Sequence, residues 1–319
     1  MKKIIFFFLF FYSCSSDSED IGVSDSSIKC KDEVKFEFHN FSNIEIENNV
    51  MVGGIKEILS NIDLKSTKLK VPIHYILYPS SGLSASQANA AATKIASRQF
   101  PGSDSSSNEK YKFVYDDLYS KLQKEAITAD LPLGSCGGSV TIALPPKDQS
   151  LDFDNYYGKV SLHEYHHIFQ NTPLHNNPSG NKKYVYTWMT EGTAEYWALT
   201  KFTEFGYSLS TKDIVSQVSE IKSKLKEDTI IMDGKSYKMA QYRKMSLYDD
   251  EFGDSFPIHS TEIGLVITHY MITVKNKKLE DIIKLYETGT SVGREKALED
   301  FLGISYNNFE TEFEVWIKD

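Results

Sequence analysis

Residues 161–170 read SLHEYHHIFQ, placing three histidines and a glutamate within five positions. Such side chains converge on one point only if the segment is helical and a second segment comes to meet it. Successive residues on an α-helix are about 100° apart, so His163 and His167 lie about 40° apart on one face, one turn above the other. Two imidazoles so placed hold a single Zn²⁺ at about 2.0–2.1 Å. Glu164 falls about 60° from His167 on the far side, beside an open coordination position rather than on the metal. His166 turns the other way, toward the flank carrying Leu162 and Phe169, and is too far around the helix from His167 to chelate with it. Pairing His163 with His166 is sterically possible but leaves Glu164 on the wrong side for a general base.

A catalytic zinc needs three protein ligands and one open position, and a carboxylate is a common third ligand. The segment WMTEGTAEYWA, residues 188–198, supplies Glu191 after a loop long enough to bring in an antiparallel helix. Glu195 shares the face of Glu191 at i+4 and is placed to accept a hydrogen bond from a ligand histidine, fixing its tautomer. Gly192 keeps the backbone slim where two helices approach.

HEYHH followed by WMTEGTAEYWA resembles the gluzincin zinc metallopeptidases, and is most similar to their collagenase-like and peptidase MA-like members. The resemblance spans roughly residues 70–319 and is most specific over 163–195. It implies His163, His167 and Glu191 as zinc ligands, Glu164 as catalytic base and Glu195 as the group behind a ligand histidine. In related enzymes a tyrosine or histidine steadies the oxyanion; FPIHSTEIG offers His259 for that role, ahead of Tyr248 and Tyr242. Aminopeptidases of this type use a Gly-x-Met-Glu-Asn strand to hold a free amine, whereas GSCGGSVTIAL has no glutamate, which points to an endopeptidase. Gly137, Gly138 and Ser139 in that stretch suit a strand that pairs with an extended peptide substrate.

The expected fold class is α+β: an N-terminal α/β lobe (31–154) with a mixed sheet and an edge strand, then a mainly helical lobe (155–319), zinc-metallopeptidase-like. In the first lobe, 53–62, 84–100 and 108–127 read as helices and 70–79 as a strand. A β-branched run at 139–144, stopped by Pro145 and Pro146, reads as the edge strand. Seven segments in the second lobe have helical spacing: 155–171, 188–205, 211–226, 259–275, 278–286, 292–302 and 306–318. Asp233-Gly234 marks a hairpin between them.

Residues 1–13, two lysines and then an apolar run, read as a signal peptide too short to span a bilayer as a helix. Cys14 after FYS resembles the lipidation site of bacterial lipoproteins, and 15–30, rich in serine and aspartate, reads as a tether. The expected location is therefore the bacterial outer membrane, held through lipid alone, at the cell surface or the periplasmic face. Losing Lys2 and Lys3 with the leader takes the net charge from −9 to −11, which argues against nucleic acid and against a broad grip on anionic lipid. Cys30 and Cys136 can pair in an oxidising compartment or remain thiols. The expected partner is a protein or peptide substrate, and the expected state a monomer. Two other readings compete. One is a surface lipoprotein that captures peptide or glycan, its zinc closed by a fourth ligand such as His166 or His175. The other is a calcium site in YDDEFGD, residues 248–254.

Overall fold

The computed structural model describes residues 30, 34–41, 50–64, 68–144, 153–181, 183–207, 213–250, 253 and 256–319. The expectations for the signal peptide, Cys14 and the tether up to residue 29 lie outside these. The fold is mixed α+β. It divides into two compact units: Asp63–Leu151 with the segment up to Gly53, and Gly54–Ile62 with Asp152–Asp319.

The first unit is built on a four-stranded sheet. Its strands are β1 (Phe36–Asn40), β2 (Ile73–Pro79), β3 (Ile127–Asp130) and β4 (Gly138–Leu144), in the order β1-β2-β4-β3. β2 is parallel to both β1 and β4, while β3 runs antiparallel to β4. β4 is therefore interior, with Gly138 opposite Ile73 and Ser139 between His74 and Asp130. This corrects the edge-strand expectation: β4 has a strand on each side, and Ser139 is paired on both, so it is not free to pair with a peptide backbone. The last paired residue of β4 is Leu144, opposite Pro79; Pro145 and Pro146 lie outside the described residues. β3 also begins at Ile127, where a continuing helix was expected. Helices α2 (Ala85–Gln99) and α3 (Glu109–Leu122) pack their buried faces together with Ile76, Tyr78 and Ala143. Ser84 opens α2 with a reciprocal cap to Gln87, and Asn108 caps α3 through the Tyr111 amide. A disulfide joins Cys30 to Cys136, just before β4.

The second unit is helical. Its first helix is α1 (Val50–Ser60), grouped here from Gly54 onward because Ile58 seats against Gly158, where a Cβ would lie 2.2 Å from its Cδ1. Next come α4 (Phe153–Asn176), α5 (Thr187–Glu204), α6 (Ile214–Lys226) and a hairpin of β5 (Thr229–Met232) and β6 (Lys235–Lys238) turning on Asp233-Gly234. α7 (Ser260–Thr273), α8 (Leu279–Ile283), α9 (Leu285–Val292), α10 (Arg294–Leu302) and α11 (Tyr306–Lys318) complete it. α4 packs on α5, and α5 on α7. The second contact is unusually close: a Cβ on Gly192 would sit 2.1 Å from the Gly264 carbonyl carbon, and one on Gly264 2.0 Å from the Trp188 oxygen. Two glycines, one per helix, are what allow α5 to lie this near α7. Among the described residues no helix is long and apolar enough to cross a membrane.

Candidate metal centre

α4 presents His163 and His167 on one buried face, one turn apart, with their Nε2 atoms 3.1 Å from each other. α5 brings Glu191 to the same point. Its Oε2 lies 3.4 Å from His163 Nε2 and its Oε1 3.6 Å from His167 Nε2. Donor atoms on a tetrahedral zinc with bonds of 2.0–2.1 Å stand about 3.3–3.4 Å apart. The separations of His163 Nε2 from His167 Nε2 and from Glu191 Oε2 lie on either side of that value, while His167 meets the other Glu191 oxygen.

Hydrogen bonding behind the rings shows what the cluster needs. His163 Nδ1 is 3.0 Å from Glu195 Oε2, and a carboxylate only accepts, so Nδ1 carries the proton. His167 Nδ1 is 2.8 Å from Gln170 Oε1. The orientation of that amide is fixed, because Gln170 Nε2 donates to the Thr190 carbonyl at 2.8 Å and faces Thr193 Oγ1 and the Tyr286 hydroxyl. His167 must therefore also donate from Nδ1. Two neutral imidazoles with their protons on Nδ1 turn two Nε2 lone pairs toward each other and toward the Glu191 carboxylate. Such an arrangement is repulsive unless a cation lies between the donors.

The electrostatics agree. Burial disfavours a charged His163, yet hydrogen bonds and charges from Glu191 and Glu195 outweigh it and lift its pKa to about 10. A proton serves as the cation when no other is bound, and a metal competes with it. Burial would raise Glu195, but Lys159 and His163 hold it at about 2. Glu191 is likewise lowered: burial opposes its charge, and the two histidines and Thr261 overcome it. Lys159 donates to both Glu195 oxygens at 2.8 Å, and Thr261, at the start of α7, donates to Glu191 Oε2 at 3.3 Å.

Glu164 is 2% exposed, and one of its oxygens lies within 4.8 Å of a ring nitrogen of both His163 and His167. Glu164 and Glu191 thus both bring a carboxylate to the two rings, Glu164 from α4 itself and Glu191 from α5. His166 does not join. Its ring stacks on Trp197 at 5.0 Å and lies near Phe169 and Tyr286, with both nitrogens buried and unbonded. Burial, then His167 and His163, push its pKa well below the ordinary value, so it is a neutral packing residue. His175 lies outside the group of His163, Glu164 and His167.

His259 is the N-cap of α7, two residues before Thr261, and its backbone N–H donates to Glu262. Tyr248 is fully buried and donates to the Ile258 carbonyl, and Tyr242 packs edge-on against Phe256. Gly137 lies against His74, where a Cβ would come 2.9 Å from Nε2. In the 248–254 stretch, Asp250 is held in a forked pair by Arg294, and Asp249 accepts from Tyr306. Those carboxylates are committed to cations and hydroxyls of the fold; residues 251, 252 and 254 lie outside the described residues. Sequence reasoning missed Lys159, Gln170 and Thr261. The first two were readable, because Lys159 is one turn before His163 and Gln170 nearly one turn after His167 on the same stripe of α4.

No family model matches the chain, and neither does any curated protein or solved structure.

Proposed function

We propose that the chain is a zinc-dependent metallopeptidase of the gluzincin type, hydrolysing internal peptide bonds as an exported, lipid-anchored protein. The observation that carries the reading is the pair of Nε2 lone pairs facing Glu191, each histidine locked in its tautomer by a separate acceptor. His163, His167 and Glu191 would hold the metal, and three protein ligands are the number a catalytic zinc takes. Zinc supplies Lewis-acid chemistry there, polarising a carbonyl and making water more acidic. Glu164 takes the proton of the attacking water and passes it to the leaving amine. Glu195, anchored by Lys159, keeps His163 in the coordinating tautomer, and Gln170 does the same for His167. His259, beside the residue that steadies Glu191, is our candidate for the group that meets the developing oxyanion.

Zinc content and cleavage of an unstructured protein, measured on the same samples of wild type, Glu164→Gln and His163→Ala, test this. Glu164→Gln should keep its zinc and lose at least about 10²-fold in rate, the usual contribution of a general base; His163→Ala should lose both. A zinc-loaded wild type that cleaves nothing would favour the non-catalytic peptide- or glycan-binding lipoprotein instead. An unchanged rate for Glu164→Gln would remove it from the mechanism.

A further inference from the structure

A second constellation of two histidines and a glutamate stands in the first unit, on the sheet, and the sequence motifs gave no hint of it. Glu37 and His39 alternate along β1 and so project from the same face, while His74 is the register partner of Glu37 on β2. Phe36 and Phe38 take the opposite face and pack against Tyr75. His39 Nε2 lies 3.2 Å from His74 Nδ1, and His74 Nδ1 lies 3.5 Å from Glu37 Oε2. One donor atom from each of the three lies within 4.8 Å of the others. The two separations from His74 Nδ1 lie close to the edge of a tetrahedral zinc site, about 3.3–3.4 Å.

We propose that Glu37, His39 and His74 form a second zinc-binding site, which ties the strand β1 to β2. His39 and His74 are buried and Glu37 is the half-open member, so the site has two imidazoles fixed in place and one carboxylate facing an entry path. Without a metal the His39 Nε2–His74 Nδ1 contact is a hydrogen bond, so one facing nitrogen carries a proton that a bound metal would displace. The seat for His74 is itself built: Gly137 leaves the space its ring occupies, and the adjacent Cys136 is bonded to Cys30 upstream of β1. Arg98 and Lys35 also reach the Glu37 carboxylate, but their side chains are 46% and 44% exposed and can turn outward as a metal takes the inner oxygen. Imidazole-rich donors with one carboxylate suit a borderline divalent ion such as Zn²⁺ rather than Ca²⁺ or Mg²⁺.

The inference does not rest on the peptidase reading, and the two separate experimentally. The full chain carrying His163→Ala and His167→Ala is stripped with chelator and titrated with Zn²⁺ by calorimetry, with a thermal melt at each loading. One equivalent should bind and raise the melting temperature. Adding His39→Asn, or separately Glu37→Gln, should abolish that equivalent while far-UV circular dichroism stays unchanged; two variants guard against one misfolding. No zinc binding in the double-histidine background overturns the proposal. So does an equivalent that survives both His39→Asn and Glu37→Gln.

Discussion

Gln170 is the residue at which the tautomer argument can be broken most cleanly. It is 1% exposed, accepts from His167 Nδ1 at 2.8 Å and donates to the Thr190 carbonyl at 2.8 Å, so it serves the metal ligand with one end and the fold with the other. Gln170→Leu removes both. The ring of His167 then loses the acceptor that fixes its proton on Nδ1, and loss of such a partner weakens metal binding by about 10–100-fold, or about 1.4–2.7 kcal/mol. Stability of the metal-free protein falls as well, by about 1–3 kcal/mol, for the buried groups left without partners. Gln170→Glu separates the two effects. A carboxylate still accepts from His167, more strongly, but it has no donor for the Thr190 carbonyl and sets an oxygen against it. Zinc affinity should therefore hold or rise in Gln170→Glu while metal-free stability drops as in Gln170→Leu.

Zinc affinity is read by competition against a chromophoric chelator at pH 7.5, and stability by thermal melts in excess chelator. A purely structural Gln170 moves affinity and stability together in both variants. The reasoning is refuted if Gln170→Leu binds zinc within about threefold of wild type, because the proton on His167 would then not depend on this amide.

The crossing of α5 and α7 gives a second test: Gly264→Ala sets a Cβ 2.0 Å from the Trp188 oxygen, so the helices must part, at about 1–3 kcal/mol in a thermal melt, and zinc affinity should fall because Glu191 neighbours the crossing. A Gly264→Ala variant as stable as wild type would show that the helices do not meet there. The Cys30–Cys136 disulfide spans a separation of 106 residues, so Cys136→Ser should lower stability by about 2–5 kcal/mol in denaturant titrations, with no further loss on adding reductant. Asp104 is held at about 2 by the hydroxyls and amides of Ser106 and Ser107. Its folded pKa lies below the unfolded value, so the turn before α3 should be fully stabilised above about pH 4 and lose that support as pH falls through about 2. The Ser106 and Ser107 amide resonances should titrate with that midpoint, and a midpoint near the ordinary aspartate value would refute the bonding.

What the sequence discloses depends on whether the signal is local. Most of the helical unit is legible because apolar spacing of three and four residues recurs over segments longer than two turns, and His163 with His167 at i,i+4 is itself such a signal; the expected helix 278–286 instead divides at Lys284 into α8 and the start of α9. β1 is easily overlooked because Phe36–Asn40 is five residues long, although its alternation of Phe36 and Phe38 with Glu37 and His39 is there to read. β3 merges with the preceding helix in the sequence, since nothing in KEAITAD breaks the run. β4 departs from expectation for another reason. Pro145 and Pro146 suggest an edge, but a proline after the last paired residue carries no information about lateral neighbours. The stronger signal is Gly138–Leu144, buried throughout, the unbroken pattern of a strand covered on both faces.

The centre divides along the same line. The proposed ligands and base are readable from spacing within two short segments, and Lys159 and Gln170 can be found by following the stripe of α4 one turn beyond the motif at each end. Thr261 and Tyr286 cannot be. Thr261 reaches Glu191 across 70 residues and Tyr286 reaches Gln170 across 116, each by a single hydrogen bond to a side chain with no sequence signature of its own. The motif discloses His163 and His167 because they share a helix. The groups that set proton positions on those rings are recruited by tertiary packing, and in this chain the packing that recruits Thr261 is the Gly192–Gly264 contact. Two glycines that offer no ligand atom of their own therefore govern how well Glu191 is placed, which is why a methyl group at Gly264 should be felt in zinc affinity as well as in stability.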